Sequence, residues 1–398
     1  MDFTYPPEAE AFRTEYRDWL ATNFTEEYRG LGFSGNPSDD QLARLRHWNH
    51  RLADAGYAAI SWPIEHGGRA ATVMEQVVFA EESVAAGIPI TLNPIGLANI
   101  APSIMAFGTD EQRSRFLRPM LRGDDIWCQG FSEPDAGSDL ASLSCAAIAT
   151  DDGWRINGQK VWTTFGSLAT WCELLVRTDV EAPSHRGITC LLIDMALPGI
   201  EVRPLVTATG DADFCELFFT DVDVAHTALL GKENDGWTVA MATLTFERGG
   251  VAALHLQLRQ RIQAVIELAR VHGRASDPHI RQRLAEIYIG GEQLRYLADR
   301  AVSRAAQDLP PGAESSLLKI VWSTVSQLVP IVSAEILGMA ATASVPTREL
   351  MASRSLSIAG GTTEVNRNIV AERVLGLPRE PRPSAGPRSL AIPPARAT

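Results

Sequence analysis

Cysteine is scarce in this chain. The five residues, at positions 128, 145, 172, 190 and 215 of 398, form no C-x-x-C pair, and no histidines gather at metal-ligand spacing. No zinc or iron–sulfur site is therefore expected, and the odd count reads as reduced thiols packed in a core. Long apolar runs are absent too. None reaches about 18 residues, so no membrane-spanning helix is expected. Positive charge is also in deficit. With 36 Lys and Arg against 48 Asp and Glu, the formal net charge is -12, which argues against nucleic-acid binding. A nucleotide cofactor needs only a local pocket and stays open. No G-x-G-x-x-G occurs, so a nicotinamide-binding Rossmann domain is not indicated. The opening Met1-Asp2-Phe3-Thr4-Tyr5-Pro6-Pro7-Glu8 has neither a basic n-region nor an apolar h-region. It reads as neither a signal nor a transit peptide, and the expected location is cytoplasmic.

What is present is an ordinary globular composition, 45% hydrophobic and 21% charged, long enough for two or three cores. Apolar spacing divides it. Residues 1–123 carry helical stripes, such as Phe12, Tyr16 and Leu20, then Leu42, Leu45, Trp48 and Leu52. Residues 124–232 change period. Strand-like runs at Ala146–Ala149, Lys160–Thr164, Gly187–Ile193 and Cys215–Phe219 are punctuated by Asp152-Gly153 and Asn157-Gly158, both read as tight turns. Residues 233–380 return to helical stripes at Val251–Ile266, Ile280–Leu294, Leu317–Leu328 and Val365–Val370, with a kink expected at Pro330. Residues 381–398, rich in Pro, Arg and Ser, read as a disordered tail. The expected fold is α+β and multidomain: an N-terminal helical domain, a small central β-barrel or sandwich, and a C-terminal antiparallel helix bundle.

Three stretches carry chemistry. The first is Trp127-Cys128-Gln129-Gly130-Phe131-Ser132-Glu133-Pro134-Asp135-Ala136-Gly137-Ser138-Asp139-Leu140, where helices give way to strands. Its glycine allows close backbone approach and its serines supply hydroxyls, although a plain domain-crossing turn fits those residues as well. The second is Asn157-Gly158-Gln159-Lys160-Val161-Trp162-Thr163-Thr164, which by itself also reads as a hairpin with a buried aromatic. The third is Gly360-Gly361-Thr362-Thr363-Glu364-Val365-Asn366-Arg367. A Gly-Gly-Thr helix entry leaves unpaired N–H groups that suit an anion or phosphate.

Together these runs resemble the signatures of the acyl-CoA dehydrogenases, T/S-E-P-x-A-G-S-D, N-G-x-K-x-W-I-T and G-G-T-S-E-x-x-R. Ser132 stands for the commoner Thr, and Thr163 for Ile. The resemblance runs from about Tyr5 to Arg379. It implies FAD as cofactor, lined by Gln129, Phe131, Ser132, Trp162 and Thr164, with Thr362 and Glu364 near its adenosine part. It also implies Ser138 against the pantetheine arm of an acyl-CoA substrate.

α,β-Dehydrogenation of a thioester needs a carboxylate for the α-proton, hydrogen bonds for the enolate, and a hydride acceptor that no side chain can be. One branch of the family keeps its base just before the C-terminal Gly-Thr, where this chain has Gly360. The branch typified by isovaleryl- and long-chain acyl-CoA dehydrogenases keeps it in an E-R pair, here Glu247-Arg248. On spacing alone, that pair also reads as a solvated helix face.

Two family elements depart from pattern. The R-x-x-F-G and Q-x-x-G-G stretches, which reach the neighbouring subunit's cofactor, correspond to Arg274-Ala275-Ser276-Asp277-Pro278 and Glu335-Ile336-Leu337-Gly338-Met339. The resemblance therefore points to a heterotetramer with a related dehydrogenase-like subunit, as in bacterial steroid side-chain breakdown. An electron-transferring flavoprotein is the implied electron acceptor. The alternatives are a flavin oxidase or monooxygenase on the same scaffold, or a non-catalytic partner subunit.

Overall fold

Two capping boxes show how local chemistry sets the helical N-terminal region. Thr72 and Thr109 each accept from the third backbone N–H of a helix, while Glu75 and Gln112 reach back to the cap. Both helices end where Gly87 and Gly123 adopt left-handed backbone. The computed structural model describes residues 4–32, 34–89, 91–247, 251–307, 309 and 312–379. The expected tail at 381–398 lies outside them.

The first region is built from α1 (Pro7–Asn23), α2 (Asp39–Asp54), α3 (Val73–Ala86), α4 (Ala101–Phe107) and α5 (Asp110–Arg122). Phe12, Tyr16 and Leu20 of α1 are buried as their spacing predicts. Tyr16 meets Tyr57 at 4.7 Å and Phe79 at 4.6 Å between ring centroids. Just before α4 the chain makes one wide π turn, Gly96–Ile100. Such turns frequently mark functional sites.

Eight strands follow: β1 (Trp127–Gly130), β2 (Ala146–Thr150), β3 (Gly153–Thr164), β4 (Trp171–Arg177), β5 (Ile188–Asp194), β6 (Ile200–Leu205), β7 (Phe214–Ala225) and β8 (Leu229–Leu230). They form one sheet in the order β6-β7-β3-β2-β4-β5-β8, with β1 added in parallel beside β4. All five cysteines are buried in this region.

Asp152-Gly153 does turn between β2 and β3, but Asn157-Gly158 does not turn the chain. It lies inside β3, at a register shift against β7. Asn157 exchanges hydrogen bonds with Asp221 across that bulge, accepting from its N–H at 2.9 Å and donating to its carboxylate at 3.0 Å. Gly158, at φ 151°, leaves room for Cys145, whose Cα would stand 2.7 Å from any added Cβ. The dipeptide's tolerance of unusual φ serves a bulge here.

The last region contains α6 (Gly236–Glu247), α7 (Val251–Val271), α8 (Pro278–Ala305), α9 (Glu314–Leu337), α10 (Val345–Ala352) and α11 (Thr363–Arg373). α7, α8 and α9 share a core that includes Ile262, Ile287, Leu294 and Val325. Helix α9 continues through Pro330. Contrary to the expectation from apolar runs, Ser315–Thr342 is long and apolar enough, by length and composition, to cross a membrane. Here Leu318, Val325, Val329, Val332 and Ile336 of that stretch belong to the bundle core.

One short loop, residues 206–213, joins the three regions. Gly35 donates its N–H to Asp213 at 2.6 Å, and Phe165 donates to the Asp213 carbonyl at 2.8 Å. From α10, Arg348 pairs with Asp211 and donates to the Thr209 carbonyl at 3.3 Å.

Candidate active site

The first two sequence motifs, some thirty positions apart, meet at a single wall. Val161 donates its N–H to the Ser132 carbonyl at 2.9 Å. Lys160, fully buried, places its ammonium 2.8 Å from Glu133 Oε1 and donates to the Phe131 carbonyl at 3.0 Å. Glu133 also accepts from the backbone N–H groups of Ser144 and Cys145, at 2.7 and 2.8 Å, and from the Ser144 hydroxyl at 2.9 Å. Burial works against that charge. Even so, Lys160 and the donated hydrogen bonds hold the carboxyl below the ordinary range. The loop after β1 is thus fixed from inside by an ion pair whose members lie one in each motif. Neither Glu133 nor Lys160 was assigned a role from sequence, because their pairing depends on two separate strands lying side by side.

The expected residues of the wall range from exposed to buried. Trp162 sits at a second register shift of β3, at φ 60° and 61% exposed, edge-on to Phe214 at 5.9 Å. An exposed indole held in sparsely populated backbone is a costly arrangement that functional sites retain. Thr164 closes β3, half-buried opposite Phe214, Ser132 is half-buried, and Phe131 is buried. Gln129 on β1 is half-buried, and Ser138 is exposed in the loop beyond. Among the described residues beyond its chain neighbours, no atom lies within 4 Å of where a Cβ on Gly137 would stand, so none of them uses the close approach that glycine permits. An exposed indole on such a wall suits stacking against a planar, polar-edged ring such as isoalloxazine.

Helix α6 runs beside this wall. It packs on β5, on α4 and on the Gly96–Ile100 turn. Glu247 is its last residue; the Glu247 side chain and Arg248 lie outside the described residues. Facing α6 from β4 is Glu173, fully buried, which sequence reading missed. It accepts from Gln129 Nε2 at 3.1 Å and from the Thr243 hydroxyl of α6 at 3.0 Å. Burial is the main influence on its carboxyl, which is pushed up to about 7. A Glu inside Trp171–Arg177 was the available signal, but that run had not been recognised as a strand.

The third motif stands apart. Gly360 and Gly361 take positive φ, and Thr362 caps α11 by accepting from Val365 N–H at 3.2 Å. Buried Asn366 donates to the carbonyls of Gly361 and Thr362 at 2.9 and 3.0 Å, closing the turn. Glu364 is exposed, and α11 packs on α9. Arg274, half-buried between α7 and α8, pairs with Asp277 at 2.8 Å while Asp277 caps α8. Glu335 pairs with Arg283 at 3.1 Å. Among the described residues no group of three or more His, Cys, Asp or Glu could hold a metal ion.

Three family models match in succession: the acyl-CoA dehydrogenase N-terminal domain over residues 6–124, the middle domain over 128–222 and the C-terminal domain over 234–375. Acyl-CoA dehydrogenase IpdE1 of Mycobacterium tuberculosis (strain ATCC 25618 / H37Rv) is 39% identical over 384 residues, covering 94% of this chain and 99% of that protein. Two solved structures are similar over 96% of this chain and 100% of theirs. The Tcur3481-Tcur3483 steroid ACAD has 28% identity and a TM-score of 0.83. The ChsE4-ChsE5 complex from Mycobacterium tuberculosis has 30% identity and a TM-score of 0.81.

Proposed function

From the premise that this chain belongs to the acyl-CoA dehydrogenase family, FAD flavoproteins and oxidoreductases, we propose that it converts an acyl-CoA thioester to the trans-2-enoyl-CoA. Glu247, at the C-terminal end of α6, takes the α-proton. The observation that carries this reading is the junction of the two motifs through Val161, Lys160 and Glu133, with Trp162 left standing outward.

Bound FAD supplies an acceptor for the hydride that leaves Cβ, a task no side chain can perform. Trp162, Thr164, Ser132, Phe131 and Gln129 are the residues to hold its ring, with Ser138 toward the pantetheine arm and Arg248 toward the substrate. Thr362 and Glu364 are assigned to the adenosine end. The protein's own share is geometric and electrostatic. It buries the α-carbon beside a carboxylate, excludes water, and presents donors where enolate charge develops.

Similarity to a steroid ACAD favours a branched or steroid-derived acyl group over a simple straight chain. A heteromeric assembly is favoured by Arg274. In this chain it is engaged with its own Asp277, while the similar ChsE4-ChsE5 structure is a complex of two different chains. We assign the reoxidising partner to an electron-transferring flavoprotein.

The test is anaerobic bleaching of bound FAD by a panel running from butyryl- and isovaleryl-CoA to steroid side-chain CoA thioesters. Glu247→Gln should retain FAD and lose bleaching by about 10²–10⁴-fold, the usual worth of a positioned base. Bleaching at the wild-type rate in that variant would remove Glu247 from the mechanism.

A further inference from the structure

A buried carboxyl with no cationic partner is expensive unless its hydrogen bonds are complete. Among the described residues Glu173 is such a group. It lies in the parallel β1–β4 ladder directly opposite Gln129, with burial, Gln129 and Thr243 as the influences on its charge. Among the described residues the titratable group facing it is a thiol, Cys190 of β5; Cys172, its neighbour in the strand, packs on the other face of the sheet. Beyond Thr243 the network continues. The Thr243 hydroxyl lies 2.6 Å from the Ser103 hydroxyl of α4 and 3.0 Å from the Val239 carbonyl. Ser103 in turn lies 3.3 Å from the Asn99 carbonyl, within the wide Gly96–Ile100 turn.

These contacts admit two complete arrangements. With Glu173 ionised, Thr243 donates to it and Ser103 donates to Thr243. With Glu173 protonated, its O–H donates to Thr243, Ser103 still donates to Thr243, and the Thr243 hydroxyl turns its own proton to the Val239 carbonyl. Gln129 Nε2 donates to the second carboxyl oxygen in both. That bond is charge-assisted in the first arrangement and ordinary in the second. Among these groups no donor or acceptor is stranded by the change, so one proton can move between two satisfied states.

We propose that Glu173 is a positioning residue that ties the cofactor wall, through Gln129, to the helix ending in Glu247, through Thr243, and that one proton on this carboxyl sets how tightly the two are joined. This rests on the assignment of β1 and α6 given under the proposed function. Thr243 lies one helical turn before Glu247, and residues four apart share a helix face. A change at Thr243 therefore falls on the same face as the proposed base.

The experiment compares wild type with Glu173→Gln, each as full chain with its partner subunit where one is required, in two readouts on the same preparations. The first is melting temperature against pH. The folded protein holds this proton up to about 7, whereas the unfolded chain releases it near 4.5. The wild type therefore keeps this contribution below 4.5 and loses it as pH rises through about 7. Glu173→Gln lacks the titration, so the variant should gain on wild type steadily across that window. The second readout is the visible spectrum of bound FAD. It should shift with pH over the same window in wild type and not in the variant.

If Glu173→Gln does not fold, Thr243→Val serves. Loss of a donor to the carboxylate should move both transitions to higher pH. Melting differences that stay constant across the window overturn the proton-linked network. A wild-type flavin spectrum without pH dependence, alongside a titrating carboxyl, overturns the link to the cofactor wall. FAD content separates the two readings: a chain that takes up no FAD under any pairing overturns the dehydrogenase assignment and that link together, while the melting curves still decide the network.

Discussion

The wall formed by β1 and β3 and the surface formed by α7–α11 carry matched parts of one family signature, yet they are finished to different degrees. At the wall, a buried ion pair, three further bonds to the same carboxylate and a backbone bond between motifs fix the loop from inside, with the Trp162 indole standing outward. On the bundle side, Arg274 and Glu335 are engaged in pairs of their own. Large apolar groups stand in the open, with Met339 84% and Ile358 65% exposed. The first surface is complete within one chain. The second leaves its polar groups paired within the chain and apolar groups in the open, which supports the heteromeric assembly proposed above.

Substitutions can break or sharpen that contrast. The largest effect is expected at the wall. Lys160→Met leaves the buried Glu133 carboxylate without its cation, a type of change that costs about 3–5 kcal/mol. Urea denaturation should show that loss together with loss of FAD. Stability within about 1 kcal/mol of wild type would mean the wall does not depend on the pair.

An intermediate effect is expected on the other surface. Gly361, at φ 82°, turns the chain into α11, and a Cβ there would meet Asn366 Nδ2 at 3.2 Å. Gly361→Ala should therefore cost about 1–2 kcal/mol of left-handed strain. The measurement is thermal melting together with FAD retention in the assembled oligomer. An unchanged melting temperature would mean that the turn relaxes freely.

The smallest effect on the isolated chain is expected from Arg274→Ala, because the pair with Asp277 is solvent-facing. Its melting temperature should hardly move, while FAD retention should fall only after assembly with a partner. Equal FAD loss before and after assembly would place Arg274 in its own chain's site and erase the distinction between the two surfaces.

The order of helical, β and helical regions was legible because a change of apolar period is a local property. So were the stripes Phe12–Leu20 and Ile280–Leu294, which bury as spaced. What escaped was everything set by register. Asn157-Gly158 has the composition of a turn, and only pairing with Asp221 on β7 makes it a bulge. Strand β4 is buried along nearly its whole length, so it lacks the alternation that reveals a half-buried strand. With that strand unrecognised, Glu173 had no visible relation to Gln129 or Thr243. The motifs themselves could be read because their residues are contiguous. The Lys160–Glu133 pair that joins them could not, since it is a contact between distant segments.

The 206–213 loop has a consequence for how this chain tolerates change in length. Surface loops usually accept insertions, tags and fusion points with little penalty. Here a few residues bond at once to Gly35 before α2, to Phe165 after β3 and to Arg348 on α10. An inserted residue would have to keep three unrelated appointments, so among relatives this loop is expected to vary less in length than the 179–186 loop, and it is a poor place for an engineered graft.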